Sequence, residues 1–174
     1  MDCIRDALCC CCCGGALVQP AYQEVRSKEK LYRAVNEGKL GEIRELYLRE
    51  VILCSGDFET LQKCTGLREL YLKNIPFDGE SLKEVPAGVY KVVIHDNKKL
   101  KREIVNGWLS KRNTSLRILE LQRTVFEQDE VPAMKQAFIA ANGAEAGRQF
   151  EVSINKQCED DHIDEAITSA GILA

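Results

Sequence analysis

The sequence predicts an α/β fold in which short parallel strands alternate with helices, and three observations carry that prediction. The stretch Ile43-Arg-Glu-Leu46-Tyr-Leu48-Arg-Glu-Val51 and its near copy Leu67-Arg-Glu-Leu70-Tyr-Leu72-Lys-Asn-Ile75 share one pattern, L-x-x-L-x-L-x-x-φ, with φ apolar. The same frame returns at Val89 to Asn97 and at Leu116 to Thr124, and more weakly from Phe150 to Ile154. Between these stretches the apolar period shifts from two to about 3.6, the change expected where a strand gives way to a helix.

Composition bounds the reading. A chain of 174 residues is one ordinary domain plus a tail. Apolar content of 45% and charged content of 29% fit a soluble globular chain. The net charge of -3 lacks the basic footprint expected of a nucleic-acid binder. No apolar run approaches the roughly 20 residues that span a bilayer.

Residues 1–20 form a segment of their own, followed by a domain over 21–174. The segment holds Cys3, the run Cys9, Cys10, Cys11, Cys12 and Cys13, and then Gly14-Gly15. A secretory leader is disfavoured, because Asp2 and Asp6 outnumber Arg5 where a leader needs positive charge. From Tyr22 to Gly38 the spacing of Val25, Leu31 and Val35, with Tyr32 beside them, predicts an amphipathic helix that caps the start of the repeats. Between the strands, Phe58, Leu61 and Cys64 predict a short helical face. Leu100, Ile104, Val105, Trp108 and Leu109 predict a second, and Val131, Met134, Ala137, Phe138 and Ala141 a third. Asp129 is the expected N-cap of that third helix, with Pro132 in its first turn and Gly143 at its end. Glu159 to Ala170 reads as a C-terminal capping helix.

The second core positions of the five strands are spaced 24, 22, 27 and 33 residues apart. The first three match the roughly 20–29-residue period of leucine-rich repeats, and the last calls for an insertion near Asn142 to Gly147. Over about residues 40–158 the chain resembles the leucine-rich repeat family, most closely its ribonuclease-inhibitor type. Asparagine at the ninth repeat position, common in that family, occurs only as Asn97. The resemblance implies a short solenoid with a parallel sheet, outer helices and helical caps. It also implies a concave sheet face that recognises protein.

Alternation along a strand sends Leu46 and Leu48 to the core and their neighbours to the opposite face. Stacked repeats then align three columns on that face. The central column reads Tyr47, Tyr71, Val93, Glu120 and Ser153, and one flank reads Arg49, Lys73, His95, Gln122 and Asn155. The other flank reads Glu45, Glu69, Lys91, Ile118 and Glu151. Tyr47, Arg49, Tyr71, Lys73, Val93, His95 and Glu120 are therefore the candidate partner-binding residues, since an aromatic strip beside like charges suits an interface with an acidic partner.

Five adjacent cysteines cannot bridge separated pieces of chain, and the scattered Cys54, Cys64 and Cys158 read as free thiols in a reducing compartment. A tetrahedral metal site needs ligands converging from separated backbone positions, and redox chemistry favours a Cys-x-x-Cys at a helix start, whereas a solid run offers no defined pair. S-acylation needs only exposed thiols near a membrane, and two or more chains anchor stably. Asp2 excludes N-myristoylation, while Ile4, Leu8, Leu17 and Val18 would assist first contact with a bilayer.

An enzyme reading finds little support. His95-Asp96 has no evident nucleophile, His162 lies in an acidic run without the glycine turn of a calcium loop, and Cys13-Gly-Gly-Ala lacks a phosphate-loop lysine. The expectation is a non-catalytic protein-interaction scaffold without cofactor or metal, held at the cytoplasmic face of a membrane by acylated cysteines. The alternative is a soluble cytoplasmic adaptor or a substrate-recognition subunit of a larger assembly. Partner identity and oligomeric state are not written in the pattern.

Overall fold

The computed structural model describes residues 23–76, 82 and 84–156. The cysteine run, Cys158, His162 and the helix expected over Glu159 to Ala170 lie outside the described residues. Six described strands pair in chain order into one open parallel sheet: β1 (Glu24–Val25), β2 (Glu45–Arg49), β3 (Glu69–Lys73), β4 (Lys91–His95), β5 (Ile118–Gln122) and β6 (Glu151–Asn155). Helices α1 (Lys28–Asn36), α2 (Ser55–Gln62), α3 (Arg102–Leu109), α4 (Val131–Asn142) and α5 (Ala144–Arg148) lie between them in sequence. The long last interval is filled by α4 and α5, and α5 falls where the insertion is expected.

The core is built from two apolar columns. Leu46, Leu70, Val92, Leu119 and Val152 are in register, as are Leu48, Leu72, Ile94, Leu121 and Ile154. Phe58 and Leu61 of α2, Val105, Trp108 and Leu109 of α3, and Met134 and Phe138 of α4 join the same cluster. Phe138 stacks on Phe150 at 4.0 Å, and the Trp108 indole N–H donates to the Leu82 carbonyl at 2.6 Å, so none of the three aromatics is buried without complement. Gly66 admits no side chain, because a Cβ there would meet the carbonyl oxygens of Gly41 and Ile43.

Two local expectations are corrected. The capping helix does not run from Tyr22. Val25 pairs with Leu46 as the end of β1, and the helix starts only after Ser27, whose hydroxyl accepts from the Lys30 amide at 3.1 Å. Its buried face is Leu31 and Ala34, with Val35 half-buried and Tyr32 turned outward. Asp129 is not an N-cap either. A 3-10 turn, Gln128–Glu130, runs straight into α4, and the Glu130 carboxylate accepts from the Glu127 amide at 2.9 Å.

The strands end alike. Glu50, Asn74, Asp96 and Arg123 each follow a strand with φ between 49° and 54°, the left-handed region that disfavours ordinary side chains. Each is held by the next strand, for its amide donates to the carbonyl of Lys73, His95, Gln122 or Asn155 respectively at 2.7–3.0 Å. The beginnings of the strands are tied similarly. Arg44 donates from its guanidinium to the Gly66 carbonyl at 2.8 Å, and Arg68 to that of Gly88 at 3.0 Å. Glu50→Val should be less stable than Glu50→Gly by about 1–2 kcal/mol, because a β-branched residue resists positive φ most. Equal urea midpoints for the two variants would show that this turn carries no such strain.

A buried carboxylate fastens α1 to α2. Asp57 is fully buried and accepts from Lys28 Nζ at 2.8 Å, from the Tyr32 hydroxyl and from the Cys54 amide at 2.7 Å. Burial pushes its pKa up, but the bonds from Lys28, Tyr32 and Cys54 outweigh it and hold it at about 2. A depressed folded value means that this stabilisation is present above the ordinary value of 3.8 and is lost as pH falls through about 2. Asp57→Ala is therefore expected to lose about 3 kcal/mol at neutral pH in urea unfolding. It should also flatten the stability profile between pH 4 and 2, and an unchanged acid limb would assign that loss to other carboxylates.

Candidate interaction face

The face opposite the leucine columns carries the residues singled out for recognition. Parallel in-register pairing sets Tyr47 beside Tyr71, Val93, Glu120 and Ser153, and Arg49 beside Lys73, His95, Gln122 and Asn155. The columns expected from the repeat spacing are thus the registers of the sheet.

Tyr47 and Tyr71 stack with ring centroids 4.2 Å apart and planes 8° from parallel. A cation covers each end of the stack. The Arg26 guanidinium lies 5.3 Å from the Tyr47 centroid, coming from the β1 side, and Lys91 Nζ lies 5.6 Å from that of Tyr71, coming from β4. The hydroxyls are used as well. Tyr47 donates to Glu45 at 3.0 Å, while Tyr71 and Tyr90 both donate to Glu69. Lys91 also pairs with Glu120 at 2.9 Å, and Gln122 donates to the same carboxylate at 3.2 Å. The result is a fixed amphipathic strip whose rings remain half-exposed.

The candidate residues differ in what they can offer a partner. Arg49 is exposed, and Tyr47, Tyr71 and Glu120 are half-exposed. Val93, His95 and Lys73 retain only 2%, 4% and 8% of their surface. The expectation that His95 is a surface residue is corrected by that burial. Val93 is a short side chain between Tyr71 and Glu120 in register and between Lys91 and His95 along β4, so longer neighbours rise around it. Arg26, Lys91 and Tyr90 belong to the strip without being among the candidate partner-binding residues, although the repeat pattern sets Lys91 in a flanking column of the face. Arg26 precedes the repeats and Tyr90 stands in the third repeat just before its strand, and the cationic caps depend on side-chain reach that spacing does not encode.

His95 Nδ1 lies 3.0 Å from the Asp96 carboxylate, whose other oxygen meets Arg123 Nε at 2.8 Å. In register His95 sits between Lys73 and Gln122, so no hydroxyl or thiol is aligned with it across the neighbouring strands. Among the described residues no group of three or more His, Cys, Asp or Glu side chains could hold a metal ion. Of the described cysteines, Cys54 is exposed, and burial pushes the Cys64 thiol up to about 11. No described helix is long and apolar enough to cross a membrane.

No protein-family model matches the chain, no curated protein matches it, and no solved structure matches it.

The phenols of this face resist ionisation. Burial, followed by the bond to Glu45, raises Tyr47 to about 12; burial and Glu69 raise Tyr71 further; the bond to Glu69, followed by burial, raises Tyr90 to about 12. A raised folded value means that the stabilisation is present below the ordinary value of 10.0 and lost as pH rises through about 12. Stability should therefore fall steeply above pH 10, with phenolate absorbance of the native protein lagging behind that of the urea-unfolded chain. Coincident titration curves for the two states would show that the carboxylate bonds do not hold these protons.

Proposed function

We propose that the chain is a protein-interaction scaffold of leucine-rich-repeat type that uses the open sheet face for recognition and does no chemistry of its own. The observation that carries this reading is the Tyr47–Tyr71 stack, closed at its ends by Arg26 and Lys91 and half-exposed across its length. Aromatic side chains pinned by neighbours lose little entropy on binding and bring large contact area, which is why such residues anchor interfaces. The five in-register repeats, each followed by the next strand in order, support the family likeness.

The cysteines near the start of the sequence supply the second half of the proposal. Cys3 and Cys9 to Cys13 are the acylation sites, and two or more chains on them hold the scaffold at the cytoplasmic face of a membrane. Confinement to a surface raises the effective concentration of partners in the same layer.

Two experiments test these halves separately. Proximity labelling and pull-down from the native cell should lose their main protein partner in a Tyr47→Ala/Tyr71→Ala chain, by about tenfold or more if the pair is the anchor. Circular dichroism would show the fold retained, and undiminished capture would move the interface off this face. Changing Cys3 and Cys9 to Cys13 to serine should release the chain from membrane fractions, as should thioester cleavage with hydroxylamine. An intact chain that fractionates as soluble replaces the anchored scaffold with a soluble adaptor using the same face.

A further inference from the structure

Along the edge where the strands end, Arg49, Lys73, Lys98, Lys99 and Arg123 line a cleft of about 700 Å³. Their charges are not equally available. Arg49 meets Glu50 at 3.3 Å, Arg123 meets Asp96 at 2.8 Å, and Lys73 is buried. Lys98 and Lys99 are exposed, as is Lys101 outside the cleft, and no described carboxylate pairs with any of the three. They flank Leu100, which is 1% exposed, so one buried leucine holds the loop while its neighbours turn to solvent. Asn97, buried as well, donates from its side chain to the Ile75 carbonyl and accepts at its own carbonyl from the Leu100 amide. The loop that presents the lysines is thus fixed from within. The fold itself gains little from cations at this place. Lys101 is the N-cap of α3, the helix end that favours a carboxylate, and its side chain makes no capping bond. Arg102 is taken by Glu130 at 2.8 Å, and Glu103 is the single carboxylate between Asn97 and Gly107.

Three cations on one loop suit a negatively charged surface better than a strand of bases. Single-stranded nucleic acid is held by aromatic rings that stack its bases, and no Phe, Trp or Tyr stands between His95 and Gly107. A duplex is held by more phosphate contacts than three lysines supply. An anionic leaflet asks only for charge held near its plane. The proposed acyl anchor brings such a leaflet within reach. Cys13 stands ten residues before Gln23, so the chain between them spans at most about 35 Å. From β1 to the end of β4 is three strand spacings across, about 14 Å, and one five-residue strand along, about 17 Å. One bilayer can therefore hold the acyl chains and meet the lysine loop.

We propose that Lys98, Lys99 and Lys101 dock on anionic lipid of that membrane and turn the strand-end edge of the sheet toward it. This rests on the acyl-anchored scaffold and supplies the second contact that orients it. Acyl chains hold the domain near the layer, and the lysines decide which edge faces it. The Tyr47–Tyr71 strip, on the sheet face beside that edge, is then left open to partners held in the same layer.

A full-length chain with Cys3 and Cys9 to Cys13 changed to serine is sedimented at low ionic strength with two kinds of vesicle. One is phosphatidylcholine containing about one-third phosphatidylserine, and the other is phosphatidylcholine alone. Binding to the anionic vesicles that falls with added salt, and is absent with phosphatidylcholine alone, is the expected result. Lys98→Gln/Lys99→Gln/Lys101→Gln should weaken it by about fivefold per lysine, roughly a hundredfold in all. Lys98→Arg/Lys99→Arg/Lys101→Arg should keep it. All three positions are exposed, and circular dichroism verifies each fold. Equal binding to the two vesicles, or a glutamine variant that binds as well as its parent, overturns the proposal. A single-stranded oligonucleotide that strips the chain from the vesicles at matched phosphate concentration overturns it in favour of nucleic acid. Because the cysteines are already replaced, these outcomes are read apart from whether the native chain is acylated. Tyr47→Ala/Tyr71→Ala should leave vesicle binding unchanged, which separates this loop from the recognition face.

Discussion

Parallel pairing in strict register is the constraint on which the rest of the structure depends. Equivalent residues of successive strands must sit side by side, whatever their chemistry. For the leucines this builds two continuous apolar columns. For Glu24, Glu45 and Glu69 it builds a row of like charges, which is unfavourable unless countered. Tyrosine hydroxyls donate to Glu45 and Glu69, and Arg26 pairs with Glu24. The tyrosines therefore serve the sheet before they serve any partner: their hydroxyls answer the carboxylates while their rings stack. Their exposed area remains available because those bonds hold the rings upright.

Positive φ after four successive strands has a related origin. Each strand is five residues long in β2 to β6, and the chain must leave the sheet at the same place each time. The left-handed residue makes that turn, and the hydrogen bond to the next strand offsets its steric cost. Because all four turns leave at one edge, their side chains and the residues after them gather into a single cleft. The cationic edge is thus a by-product of repeat geometry combined with the residues that happen to occupy the turns.

Strand identity and register are legible in the sequence because leucine at alternate positions has only one way to face a core. The helices that carry Phe58, Val105 and Met134 are legible for the corresponding reason, an apolar face at helical period. β1 is not, since Glu24 and Val25 are too few to show any period, and Val25 stands seven residues before Tyr32, a spacing that fits a helix equally well. At the face, spacing assigns a direction to each side chain but not its exposure. That is why Val93, His95 and Lys73 point the expected way and are nonetheless buried, while Arg26 enters the strip unannounced and Lys91 reaches from its flanking column over the Tyr71 ring. The left-handed turns leave no mark either, for Glu50, Asp96 and Arg123 stand where glycine would have been the readable signal.

The order of the strands has a consequence for how the chain reaches this state. Each strand pairs only with its sequence neighbours, and paired residues of β2 to β6 lie 22 to 33 positions apart. No pairing has to wait for distant ends of the chain to meet, so the loop-closure entropy of each step is modest and nearly the same. Assembly can begin at whichever pair forms first and spread outward one strand at a time, in the manner of a one-dimensional lattice. Tyr47 against Tyr71 and Leu46 against Leu70 make the β2–β3 pair a natural origin. A ribosome releasing the chain from its amino end would expose those two strands before any of the later ones, letting the future recognition strip take shape first.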